Sequence, residues 1–366
     1  MDSAIVLGVG VLAAAFVGVN IGGSSTAAAF GPSVGSGMLS KVLTAALMTG
    51  FVFVGGWTVG RRVVRTLSEG IVPASTFTLQ AGVVVLVFVG CSLLLGNWIG
   101  IPASTSETTV GAIVGLGLAT QSLRTAKLVE IVVWWVVSPV VALLATALIG
   151  RYCYQWLEER LTDGDGVDGD VIALTRDGWR PRIDVRVDPT GRRGVLVGLA
   201  VLIGCYMAFS AGASNVANAV APVVGQGSFG IELGILVATG AIGIGAFTIA
   251  RRTLEVLGDD LARLSVVAAL VVEVVAATLI TFLSAIGIPA SLSITTTCSI
   301  IGLNLGRSRR RTAAQSGAEV ACDGGRVNEE EELLNTGTTW RSVGVWVMTP
   351  TLSAAATFVV FSVYAP

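Results

Sequence analysis

The chain has 366 residues, of which 53% are apolar and only 13% charged, and its mean hydropathy is +0.80. Soluble domains carry about 25% charged residues, so a water-soluble enzyme of this length is excluded. A net charge of −1 gives no electrostatic basis for binding nucleic acid, and the absence of His removes histidine triads, histidine metal sites and histidine proton relays. Five Cys (Cys91, Cys153, Cys205, Cys298 and Cys322) include no C-x-x-C pair, which supports neither a disulfide framework nor a zinc site.

A bilayer core of about 30 Å takes ~20 apolar residues as helix. Stretches of that kind run near 4–20, 38–60, 79–99, 127–150, 194–210, 229–250, 264–286 and 343–364. The first opens Met1-Asp2-Ser3 without a basic segment, so it is expected to be a span and not a cleaved leader. Four further stretches, near 20–37, 100–121, 210–226 and 287–305, are rich in Gly, Ser, Thr and Asn. Polar, Gly-rich backbone at membrane depth must line a protein-enclosed cavity, and such broken elements mark the binding sites of transporters. Residues 151–193, with the run DGDGVDGD, and residues 307–342, with Arg309 to Arg311 and Glu329 to Glu332, are too polar to span. They are expected to be a charged aqueous linker and a charged insertion.

The polar stretches recur in order. Ser24-Ser25 aligns with Ser214-Asn215, and Arg61-Arg62 with Arg251-Arg252, at an offset of 190. Gly100-Ile101-Pro102-Ala103-Ser104 repeats as Gly287-Ile288-Pro289-Ala290-Ser291 at 187, and Trp135 to Pro139 matches Trp346 to Pro350 at 211. The chain therefore reads as two copies of one membrane unit, 1–150 and 194–366, the second interrupted by 307–342. Two-copy units are the usual build of secondary transporters, with substrate held between the copies. Matched Arg loops at 61–65 and 251–252 favour a parallel pair, because Arg-rich loops tend to stay in the cytoplasm.

In the second type of break, Gly-x-Pro leads into hydroxyl residues and an apolar run. Pro at a helix start costs no hydrogen bond, and the free N–H groups at the positive end of the helix suit an oxyanion. Ser24, Ser25, Ser104, Thr105, Ser106, Ser214, Asn215, Asn218, Ser291, Ser293 and Thr295 are the candidate anion ligands. Glu107 is the only carboxylate in any break. With Asn20 it is the candidate for the coupling cation or proton. Glu273 lies mid-span among Val residues, and an ionisable group at that depth is a functional candidate.

At these residues the sequence resembles the PiT family of inorganic phosphate transporters. Ser210 to Ala219 reads SAGASNVANA, close to that family's GAND-containing signature, and Asn20 to Ser25 with Gly31 to Ser36 resembles its first-repeat form. Gly100 to Gly115 and Gly287 to Gly302 resemble its later signature. The resemblance implies an all-α polytopic membrane fold of two inverted repeats, with broken or re-entrant helices meeting at the membrane midplane. It implies a plasma-membrane carrier of inorganic phosphate, with Na⁺ or H⁺ as coupling ion and no other cofactor. The expected partners are the anion and the bilayer, with a homo-oligomer allowed. Where the family has Asn-Asp, this chain has Ser24-Ser25 and Ser214-Asn215; where it has His, this chain has Glu107 and Ile294. Loss of both aspartates relaxes discrimination against sulfate, so a sulfate or other oxyanion permease is the alternative, and a passive anion channel a further one.

Overall fold

A computed structural model describes residues 3–35, 38–99, 103–161, 172–177, 180–185, 191–225, 227, 230–249, 265–315 and 336–364. In the first copy, α1 spans Ser3–Gly35 and α2 Lys41–Gly55. The chain then runs through a π turn, Gly56–Gly60, into α3 (Arg61–Arg65) and a second π turn, Thr66–Gly70. There follow α4 (Leu79–Ile99), α5 (Thr105–Ala119) and α6 (Thr125–Tyr152). The linker carries α7 (Tyr154–Leu161) and an antiparallel hairpin, β1 (Ile172–Asp177) with β2 (Arg180–Val185), in which Ile172 pairs with Val185. The second copy consists of α8 (Arg192–Val224), α9 (Ile231–Thr248), α10 (Val266–Ala285), α11 (Leu292–Gln315) and α12 (Thr336–Val363). Among the described residues eight helices are long and apolar enough to cross a membrane, and the chain is a multi-pass membrane protein.

Helix starts repeat with the sequence offsets: Lys41 and Ile231 are 190 apart, Thr105 and Leu292 187, Thr125 and Thr336 211. The packing repeats too. α1 lies along α9 as α8 lies along α2, and α5 packs on α12 as α6 packs on α11. Hydrophobic burial gives helices in lipid little drive to associate, so close backbone contact over small residues does much of the work. Gly22 of α1 sits against the backbone carbonyl of Ile242, and its counterpart Gly212 against that of Val52, which is the counterpart of Ile242. Gly115 faces Ala354 and its counterpart Gly302 faces Leu143 in the same reciprocal way. Where α1 and α8 touch they run antiparallel, because Gly10 faces Val223 while Gly204 faces Phe30. The Arg251-Arg252 loop, which the sequence sets against Arg61-Arg62, lies outside the described residues.

Three expectations change. The Ser- and Asn-rich stretches at 20–37 and 210–226 are not breaks: α1 and α8 run through them as helices of 33 residues each. Their hydroxyls turn back on the helix, with Thr26 Oγ1 donating to Gly22 O at 2.7 Å and Ser24 Oγ to Ile21 O at 3.2 Å. Helix hydrogen bonding already satisfies the backbone there, so polar side chains do not unwind it. The linker contains regular structure, since α6 continues to Tyr152 and is followed by α7 and the hairpin. The insertion is narrower than 307–342, because α11 continues to Gln315 and α12 begins at Thr336.

The second type of break is real. α10 ends in a Schellman motif: Ile288 N–H bonds Leu283 O at 2.8 Å and Gly287 N–H bonds Ser284 O at 3.0 Å. Gly287 takes φ +79°, a conformation open to glycine at little cost. Ser291 then caps α11, its Oγ accepting from Ile294 N–H at 3.3 Å. The Arg62 guanidinium donates to Ala285 O, and Trp135 Nε1 donates to Pro289 O at 2.8 Å. Side chains of the first copy thus hold both ends of the second copy's break.

Candidate anion-binding site

A small pocket, with room for little more than a water molecule in this conformation, lies where the two breaks meet α1 and α8. Ser24 and Ser25 line it from α1, Asn215 from α8, Ala103, Thr105 and Ser106 from the start of α5, and Ser291, Leu292 and Ser293 from the start of α11. None of these lining residues is charged. Each helix start leaves first-turn N–H groups without an acceptor in its own helix. Two positive helix ends, one from each copy, therefore meet at a hydroxyl-lined space, an arrangement that stabilises an anion.

Seven of the sequence-predicted ligands line this pocket: Ser24, Ser25, Thr105, Ser106, Asn215, Ser291 and Ser293. Ser214 and Asn218 are buried behind the wall and hold it together. Ser106 Oγ donates to Ala290 O at 3.0 Å, Ser214 Oγ donates to the same carbonyl at 2.9 Å, and Asn218 Nδ2 donates to Ser106 Oγ at 3.1 Å. Asn215 Nδ2 donates to Ser25 Oγ at 3.1 Å. Ser104 is buried at the N-cap of α5, and its side chain makes no capping bond. Thr295 is buried and bonds back to Ser291 O at 2.8 Å.

The two coupling candidates stand apart from the lining. Glu107 is half-buried in the first turn of α5. Asn20 is buried and ties α1 to α4, its Oδ1 accepting from Asn97 Nδ2 at 3.1 Å. Glu273 is 2% exposed, and neither carboxyl oxygen has a hydrogen-bond partner among the described residues. Among the described residues no group of three or more His, Cys, Asp or Glu side chains gathers as a metal site.

Sequence reasoning missed Asn97, Arg62 as a clamp, and Trp135. Trp135 carried a signal, because it opens the Trp-to-Pro segment repeated at 346–350. Its partner, a bare carbonyl in another copy, has no signature in the sequence.

A family model described as the phosphate transporter family matches residues 21–357. The sulfate permease CysP of Bacillus subtilis is 30% identical over 356 residues, 97% of this chain and 87% of that one. The chloroplastic inorganic phosphate transporter 2-1 of Arabidopsis thaliana is 24% identical over 423 residues, 91% of this chain and 70% of that one. A solved structure described as the sodium-dependent phosphate transporter matches with a TM-score of 0.73 and 19% identity, covering 98% of both chains, and so shares the fold. With a family match running almost from end to end over this helical membrane fold, the chain belongs to the phosphate transporter family.

Proposed function

We propose that the chain is a secondary carrier that moves a tetrahedral oxyanion across the plasma membrane through the pocket between its two copies. The observation that carries this reading is the convergence of the α5 and α11 starts on a space lined by five Ser, one Thr and one Asn beside Ala103 and Leu292. Such a lining offers many neutral donors and no fixed charge, so it can replace hydration without trapping the ion. The copies are read as inverted, which the antiparallel contact of α1 with its counterpart α8 supports.

Between the two common tetrahedral anions, the lining favours sulfate. At neutral pH phosphate keeps at least one proton and gains from a carboxylate acceptor, whereas sulfate has no proton and is repelled by one. None of the described lining residues is a carboxylate, and the relative at 30% identity is described as a sulfate permease. Phosphate is the second reading, favoured by the description of the matching family. Coupling to Na⁺ or H⁺ is assigned to Glu107, one helical turn inside the α5 start. Uptake of labelled sulfate and labelled phosphate into proteoliposomes, each competed by the other unlabelled anion, tests the substrate. Sulfate uptake blocked weakly by phosphate is expected, and phosphate uptake indifferent to sulfate would reverse the order.

A further inference from the structure

The two halves of the pocket are built from counterpart residues, yet they are bonded differently. On one side Ser106 and Ser214 both donate to Ala290 O, at 3.0 and 2.9 Å, and Asn218 donates to Ser106 at 3.1 Å. The two hydroxyl oxygens are 3.4 Å apart, so α5, α8 and the second break are knotted together. By the offsets of 187 and 190, the counterparts of Ser106, Ser214 and Ala290 are Ser293, Ser24 and Ala103. On that side no such knot exists. Ser24 Oγ turns to its own helix, at 3.3 Å from Asn20 O and 3.2 Å from Ile21 O. Ser293 Oγ makes no hydrogen bond among the described residues, and its side chain borders the pocket. The helices differ slightly in the same direction, since α5 touches α8 at a few residues whereas α11 makes at most marginal contact with α1.

We propose that these are two gates of one carrier, the first made and the second unmade in this structure. In the alternate state the Ser106–Ser214–Ala290 knot opens, and Ser293 Oγ and Ser24 Oγ both donate to Ala103 O. The inference rests on the carrier reading above and adds the residues that alternate. Its physical basis is that the same local sequence, placed twice about a pseudo-two-fold axis, can adopt both arrangements in either copy. A pocket open at both gates would leak the ion down its gradient, so the opening of one gate is tied to the closing of the other. The copies are not identical, and this sets a bias. Asn218 completes the first knot, but its counterpart is Ala28, which has no side-chain donor. The first gate therefore has one more bond than the second, and Asn218→Ala should shift the population toward the second.

Cysteine pairs test this in full-length protein whose five native cysteines are replaced, reconstituted in vesicles. S106C/S214C bridges the first gate and S24C/S293C the second. With copper phenanthroline as oxidant, both pairs are expected to form disulfides, read by mass. The second should form several-fold more slowly, and Asn218→Ala should accelerate it. Failure of S24C/S293C to cross-link in folded protein under anion exchange, while S106C/S214C does, would overturn the second gate. Should a pair fail to fold, single cysteines serve. A membrane-impermeant thiol reagent should reach S293C from one side only, and S214C, which lies behind the pocket wall, from the opposite side only once Asn218→Ala is present. Labelling of both from the same side would overturn the proposal. Neither readout needs a substrate. Cross-linking at both gates without flux of sulfate or phosphate would therefore fault the anion assignment and leave the gates standing.

Discussion

Asn215 Nδ2 donates to Ser25 Oγ at 3.1 Å, and these two residues are each other's counterpart in the repeat, 190 positions apart. Counterparts in a two-fold arrangement touch only where the axis passes. On the proposed inverted arrangement, the bond puts the pseudo-two-fold axis at the edge of the pocket, where α1 and α8 meet. The lining accordingly includes counterpart pairs such as Ser106 with Ser293, and a single ion seated there, as proposed above, would be offered similar donors by both copies.

Loss of either partner should weaken anion binding. Ser25→Ala and Asn215→Ala are each expected to cost about 0.5–1.5 kcal/mol, rising to about 3 if the lost donor reaches the charged anion. Because the two side chains are bonded to one another, the double variant should cost less than the sum of the singles. Titration calorimetry with sulfate and with phosphate on purified protein measures all three. Strict additivity would show that the pair does not act as a unit at the site.

Glu107 tests coupling. A carboxylate close to a bound anion repels it unless a proton or cation intervenes. Glu107→Gln should keep anion binding and exchange but lose accumulation driven by an ion gradient. Comparing counterflow with gradient-driven uptake in the same vesicles separates the two. Concentrative uptake at the native level would return Glu107 to a neutral side chain among hydroxyls.

The glycine contacts predict a packing failure. A Cβ at Gly212 would meet the Val52 backbone, whereas one at Gly8 meets nothing within 4 Å. Inserting side-chain bulk into such a contact costs typically 1–3 kcal/mol. Gly212→Val should lower the thermal unfolding midpoint in detergent, and Gly8→Val should leave it in place. Equal behaviour of the two variants would contradict the close helix contact.

Much of this architecture was legible before any coordinates. Hydropathy located the spans, because lipid demands long apolar runs. The repeat was visible because each copy keeps its Gly and Pro at fixed spacing, and those residues serve backbone geometry: Gly287 in its left-handed turn, Gly22 and Gly212 at helix crossings. Seven of eleven proposed ligands line the pocket, four of them at the starts of α5 and α11, a few positions after Pro102 and Pro289 in the sequence. The error at Ser24 and Ser214 has a physical cause as well. A polar side chain in a membrane helix can bond its own carbonyls or a neighbour's, and composition does not distinguish that from a break. The contacts that select among these outcomes, such as Trp135 to Pro289 O, join residues more than 150 positions apart through a backbone atom that every residue possesses.

Glu273 supplies a stability test. Its carboxyl is buried without a partner among the described residues, and its counterpart in the first copy is Leu86, which is fully buried. A buried polar group left unsatisfied costs about 1–3 kcal/mol. Glu273→Leu places the first copy's own residue at this position and should raise the unfolding midpoint. A fall would mean that the carboxyl has a partner in the membrane-embedded protein.

On the proposed function an oxyanion crosses the membrane between the α5 and α11 starts, held by hydroxyls from both copies. Uptake of labelled sulfate and phosphate into proteoliposomes, comparing native protein with Ser106→Ala/Ser293→Ala, tests it most directly. Saturable uptake by the native protein is expected, with a loss of tenfold or more in apparent affinity in the double variant, about 1.4 kcal/mol or more. Native-like uptake of both anions by the double variant would contradict it.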